Sequence, residues 1–175
     1  MSKIQRKIAH GLALSALIAL GGCEAAGTLA GGGTQSDYLV ARQALETGNY
    51  DLAIRRYSRL MDGMSAQTAQ RLQLEYAHAL LRGDRYQDAA DAADPLIGST
   101  SAAISGSALA VRGTARHEAA RRRIAAGQAD ATTRGLLQGA RDDLTSFVEH
   151  HEDLDATGSM RARMQLIGAD LQTLG

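Results

Sequence analysis

The sequence predicts an all-α chain made of short helical hairpins, and three observations carry that reading. Apolar residues recur three and four apart: Val40, Ala41 and Ala44, then Tyr50, Ala53, Tyr57 and Leu60, the spacing that lines one face of a helix. The composition is alanine-rich, with five Tyr, one Phe and no Trp, so the core must form where Ala and Leu let helices approach closely. Pro occurs once and Val is scarce, which argues against strands. Finally, the pattern repeats. Tyr86 follows Tyr50 by 36 residues, and the same shift puts Ala77 on Ala41 and Ala89 on Ala53.

In the first hairpin, 37–47 and 50–62 are the predicted helices. Gly48 suits a left-handed C-terminus, and Asn49 can cap the helix that follows. Ala41 and Ala53 are small where the helices would cross; Tyr50 and Tyr57 are large where they would fill the gap. The small residue at Ala41, Gly48-Asn49-Tyr50, then Ala53 and an aromatic at Tyr57 resemble a tetratricopeptide repeat (TPR). The chain departs from that pattern at Leu60, where the family has Ala, and at Ser65, where it has Pro.

The second hairpin runs from a helix over 66–82, capped by Ser65, to a helix beginning at Tyr86. Pro95 should bend or end that helix near Asp94. After a loop at 99–101, one long helix is expected over 102–126, with Ile104, Ala108, Val111, Ala115, Ala119 and Ile124 in its stripe and Gly127 as its stop. Gly113 takes the small-residue position, 36 after Ala77. A helix over 132–150 completes a third hairpin that lacks Gly-x-Tyr, and 159–174 reads as an amphipathic cap on the end of the stack. The expected architecture is a TPR-like right-handed solenoid of about three hairpins plus a C-terminal capping helix, over 37–175.

Upstream, 1–22 reads as a signal peptide. Lys3, Arg6 and Lys7 form a basic start, and 11–20 is an uncharged apolar run too short for a membrane span of roughly 20 residues. Leu20-Gly21-Gly22-Cys23 resembles the lipobox of bacterial lipoproteins. That resemblance implies cleavage before Cys23, its lipidation, and attachment to a membrane; an ordinary secretory signal with an incidental cysteine is the alternative. Cys23 is the single cysteine, so no intrachain disulfide and no cysteine metal cluster can form. Residues 23–36, with three successive glycines, are expected to be a tether of about 20 Å. The lipoprotein resemblance implies a periplasm-facing envelope location, and Glu24, where enterobacterial relatives kept at the inner membrane carry Asp, implies the outer over the inner membrane.

Removing the three basic residues of 1–22 from the 19 of the whole chain leaves 16 against 19 acids, a net charge of about −3. A near-neutral domain of that kind is not a general nucleic-acid binder. No catalytic motif is present: His117-Glu118 lacks the second histidine of a zinc helix, and there is no phosphate-binding glycine pattern. His150, His151, Glu152 and Asp153 read better as a polar helix end than as metal ligands. The run Arg121–Arg123 is a solvated helix extension or a contact for an acidic partner or lipid headgroup, with Arg122 reaching back to Glu118. No enzyme activity, cofactor or metal is expected.

What the TPR resemblance adds is a concave groove for a partner peptide, lined by one face of each first helix. Carried over by register, that face is Tyr38, Arg42 and Leu45, then Arg71, Leu74, His78 and Arg82, then Thr114 and His117. These are equally ordinary surface positions. As a groove they suit an extended acidic segment, with Arg42, Arg71 and Arg82 converging on one wall and repelling each other until a partner carboxylate arrives. The resemblance implies a lipid-anchored scaffold that assembles an envelope machine, such as a tight-adherence type pilus or a secretion channel. The alternative is an accessory subunit of a peptidoglycan- or polysaccharide-active enzyme. The oligomeric state is open.

Overall fold

The computed structural model describes residues 32–174. Among them the chain is all-α: α1 (Gly32–Glu46), α2 (Tyr50–Met61), α3 (Ala66–Arg82), α4 (Tyr86–Ala93), α5 (Ala102–Ala125), α6 (Ala131–His150) and α7 (Ser159–Thr173), with 3-10 turns at Asp94–Leu96 and Glu152–Leu154. Each helix packs against its neighbours in chain order, and α5 also touches α3 and α7. The signal peptide, Cys23 and residues 24–31 lie outside the described residues.

Local chemistry recurs every 36 residues. Ser65 and Ser101 cap α3 and α5 by accepting from the amides of Thr68 (3.3 Å) and Ile104 (3.5 Å). The starts of α2 and α4, at Tyr50 and Tyr86, share the spacing, as do the starts of α3 and α5, at Ala66 and Ala102. The left-handed residue after the first helix of each hairpin is Gly48 (φ +82°), then Asp84 (φ +59°). In the second hairpin Asp84 adopts this conformation, and Gly83 before it serves another purpose. A Cβ on Gly83 would stand 3.2 Å from the Tyr50 Cβ, so the glycine lets the end of α3 lie on the start of α2. Pro95 ends α4 at Ala93 and opens the short 3-10 turn.

Ala41, Ala53, Ala77 and Ala89 are all fully buried, as close crossings require, and Tyr57 fills the space between. They belong to one cluster that runs from α1 to the first half of α5, through Leu80, Leu96 and Val111. A second cluster joins Ala120 of α5 to Leu137, Ala140 and Leu144 of α6 and Ile167 of α7. Helix α5 therefore belongs to both. Gly113 supplies the close contact in the third hairpin: a Cβ there would be 2.8 Å from the Leu144 Cδ2.

Residues 32–36, expected to be part of a tether, belong to α1, which begins at Gly32 and not at Asp37. No apolar periodicity marks 32–36, but an established turn extends at the gain of one backbone bond per residue. Asp37, bonded to Arg56 of α2 at 2.6 Å, anchors that turn. Arg122 also departs from expectation. It lies over the Tyr86 ring (4.7 Å to the centroid) and near Asp84 (3.6 Å), while Glu118 is bonded by Arg163 of α7 at 2.6 Å.

Candidate functional site

Helix α1 places Tyr38, Arg42 and Leu45 at i, i+4 and i+7, one stripe of a helix. Helix α3 places Arg71, Leu74, His78 and Arg82 in the same way. Between them lies an open cleft of about 440 Å³ lined by Arg42, Leu45, Glu46, Glu75, His78 and Arg82. Four of the nine residues expected on the groove thus meet in one place. The Arg82 guanidinium sits over the Tyr50 ring, 5.6 Å from its centroid, which holds it at the cleft edge.

The electrostatics differ from the expectation. Glu75 was not anticipated, and it organises the cleft floor. Its Oε1 accepts from the Tyr38 hydroxyl (3.1 Å) and its Oε2 from the Tyr57 hydroxyl (2.7 Å). Arg42 and Arg71 each lie 3.7 Å from it. Arg42 also bonds Glu46 at 2.8 Å, and that bond is the largest cause of its raised pKa. Burial, then the Glu75 contact, raises the Tyr57 pKa well above the usual phenol value, so this hydroxyl stays a donor. The arginines therefore do not form an uncompensated cationic wall. Two carboxylates neutralise part of their charge, and the repulsion argument for an acidic partner fails for Arg42 and Arg71.

The remaining expected groove residues scatter. Tyr38 points to the floor, and Leu74 is half-buried against the core. The Arg71 side chain is 80% exposed, outside the lining. Thr114 and His117 are corrected too: neither lines the α1–α3 cleft. Thr114 Oγ1 lies 3.9 Å from the Met160 sulfur of α7, and His117 is completely buried. The Arg163 Nη1 donates to His117 Nδ1 (3.1 Å), so the proton sits on Nε2, which donates to Asp170 Oδ2 (2.9 Å). The capping helix covers the face that register alone assigns to the groove.

Sequence reasoning missed Glu75 and Glu46 as cleft residues and Tyr50 as the ring beneath Arg82. The available signals were the Arg42–Glu46 and Arg71–Glu75 pairs at i, i+4. His150 accounts for itself with a contact from Nδ1 to the Ser146 carbonyl (3.0 Å), and His151 lies against Phe147, 6.3 Å between ring centroids. Among the described residues no group of three or more His, Cys, Asp or Glu is placed to hold a metal, and no helix is long and apolar enough to cross a membrane. No family model, curated protein or solved structure matches the chain.

Proposed function

We propose that the chain is a lipid-anchored scaffold of the bacterial envelope whose helical hairpins stack as a TPR-like solenoid and hold a partner protein in the α1–α3 cleft. The cleft carries the reading. It brings a leucine, an imidazole, a stacked arginine and a half-neutralised arginine–glutamate pair from two helices to one open surface. Such a set suits an extended segment that offers a carboxylate to Arg82 and His78 and an apolar side chain to Leu45. The 36-residue recurrence of caps, helix starts and left-handed residues supports the repeat architecture. The basic start, the apolar run and Leu20-Gly21-Gly22-Cys23 support the anchor. Assembly of a pilus or secretion channel is the setting that the resemblance suggests.

The test is recovery of crosslinked partners from membranes. His78→Glu with Arg82→Glu should abolish recovery while helicity and melting temperature stay near the parent's, since both side chains lie outside the core. Recovery of the same partners at the same yield overturns the cleft. Cys23→Ala should leave the protein soluble or uncleaved, because stable anchoring takes at least two acyl chains at about 0.8 kcal/mol per buried CH₂. Unchanged size and membrane fractionation overturn the anchor.

A further inference from the structure

Among the described residues the first and last helices, α1 and α7, present outward faces unlike those of α2, α4 and α6. On α1 the outward stripe is Ser36, Leu39, Val40 and Gln43, all exposed, with Leu39 58% open. On α7 it is Ala162, Gln165, Leu166 and Ala169, all exposed, with Leu166 57% open. Neither stripe contains a charge. By contrast, α2 exposes Arg55 and Arg59, α4 Asp88 and Asp91, and α6 Arg141 and Asp142. Charged residues are depleted in the buried centre of protein interfaces, because each would lose its water. The charges that flank the two stripes are already paired within the chain: Asp37 with Arg56, Arg42 with Glu46, Arg161 with Glu152 and Arg163 with Glu118.

The repeat shows what surrounds the equivalent positions in the next two hairpins. Position 39 becomes Glu75 and then Val111 in the next two hairpins. The Glu75 side chain is 12% exposed and bonded by Tyr38 and Tyr57 of the hairpin before it; Val111 is 2% exposed. Position 40 becomes Tyr76, packed on the core, and then Arg112, which pairs with Asp94 at the end of α4 and with Asp143 of its own hairpin. At position 39 the equivalents are largely buried, and Glu75 is bonded from the preceding hairpin. On α1 no preceding hairpin is present among the described residues.

We propose that a second copy of this chain supplies the missing element, its α7 stripe seated on the α1 stripe in head-to-tail association. The shapes match. Leu166 stands between Ala162 and Ala169, so α7 offers a ridge with a hollow on either side, and Leu39 and Val40 are the bulky groups that fill hollows. One helix face on another is at the small end of specific interfaces, below roughly 1,200 Å² in total. The association is therefore weak and concentration-dependent. Because the two faces differ, it is heterologous and does not stop at a dimer unless the rotation closes a ring.

Complementation tests this with the full chain in detergent, followed by sedimentation. The parent's average mass should rise with concentration past that of a dimer. Val40→Arg blocks one face and Leu166→Arg the other, and both positions are exposed, so both variants should fold with the parent's helicity. Each variant alone should be monomeric. Mixed one to one they should form a dimer and nothing larger, since each still carries the face the other lacks. A parent that stays monomeric at every concentration overturns the proposal. So does a variant that dimerises alone, which would indicate a two-fold contact through its intact face. Partner binding in the cleft uses other residues and is unaffected by either result.

Discussion

Gly113 and Gly135 show how two glycines in helices of the same hairpin differ in what they do. A Cβ on Gly113 would meet Leu144 Cδ2 at 2.8 Å, its Cγ at 2.9 Å and the Asp143 Cβ at 3.1 Å, and Leu144 is itself fully buried. A Cβ on Gly135 would meet nothing within 4 Å. Alanine gains up to about 1 kcal/mol over glycine in a helix interior, and overpacking a tight core costs about 1–3 kcal/mol. Gly135→Ala should therefore stabilise by about 0.5–1 kcal/mol. Gly113→Ala should destabilise by about 1–2 kcal/mol, because the clash outweighs the propensity. Urea unfolding of the two variants beside the parent decides it; equal shifts in one direction would remove the close α5–α6 crossing. Glu75 makes a related point about single residues. It flanks the stripe of Leu72 and Tyr76, and nothing nearby in sequence reveals that Tyr38 and Tyr57 bond it from 37 and 18 residues away.

Among the elements, α3 was fully legible: Ser65 caps it, Gly83-Asp84 ends it, and its observed bounds are those expected. The first turn of α1 was not, since 32–36 carry no periodic signal. Helix α7 was legible as a helix, and it packs on α6 and α5, but the surface it covers was not legible. Register treats position 117 as equivalent to Leu45 and Leu81, and only the docked helix reveals that the histidine there is buried. That burial makes the docking of α7 sensitive to pH. The charged groups around His117 are Asp170 and Arg163 from α7 and Glu118 beside it on α5. Burial is the main cause of its lowered pKa; Asp170 works the other way, and the Arg163 charge adds to burial. The unfolded chain then takes up a proton where the folded chain does not. The neutral imidazole's contribution is fully present above about pH 6.5 and is lost as pH falls through the lower folded value. Hydrogen exchange at α7 amides, corrected for intrinsic rate, should show more frequent opening at pH 5 than at pH 7. His117→Gln keeps a donor and an acceptor but cannot charge, so its opening should depend less on pH. Equal pH dependence in the two proteins would assign the effect elsewhere.

At the scale of the molecule, the question is what joins two apolar clusters into one folding unit. Helix α5 spans both, and a buried ionic group fastens it on either side. The Asp143 side chain of α6 is 4% exposed and accepts from Arg112 (2.6 Å) and Arg116 (2.8 Å) of α5. Arg112 also pairs with Asp94 at the end of α4, so three elements meet at one guanidinium. Burial alone would lower the Arg112 pKa; the bonds to Asp143 and Asp94 outweigh it and raise it. Removing one member of a buried pair costs about 3–5 kcal/mol, because the other is left without compensation. Asp143→Ala, which leaves Arg116 unpaired and Arg112 with Asp94 alone, should cost about 3 kcal/mol, the low end of that range. Asp94 is 63% exposed at its side chain, and an exposed pair contributes about 0.2–1 kcal/mol, so Asp94→Ala should cost under 1 kcal/mol. Denaturant unfolding read by circular dichroism separates the two. Because α5 belongs to both clusters, the parent should unfold in one transition. Asp143→Ala should weaken the α6–α7 end first and broaden or split that transition. A variant that loses less than 1 kcal/mol and keeps the parent's slope would show that apolar packing alone holds the two halves together.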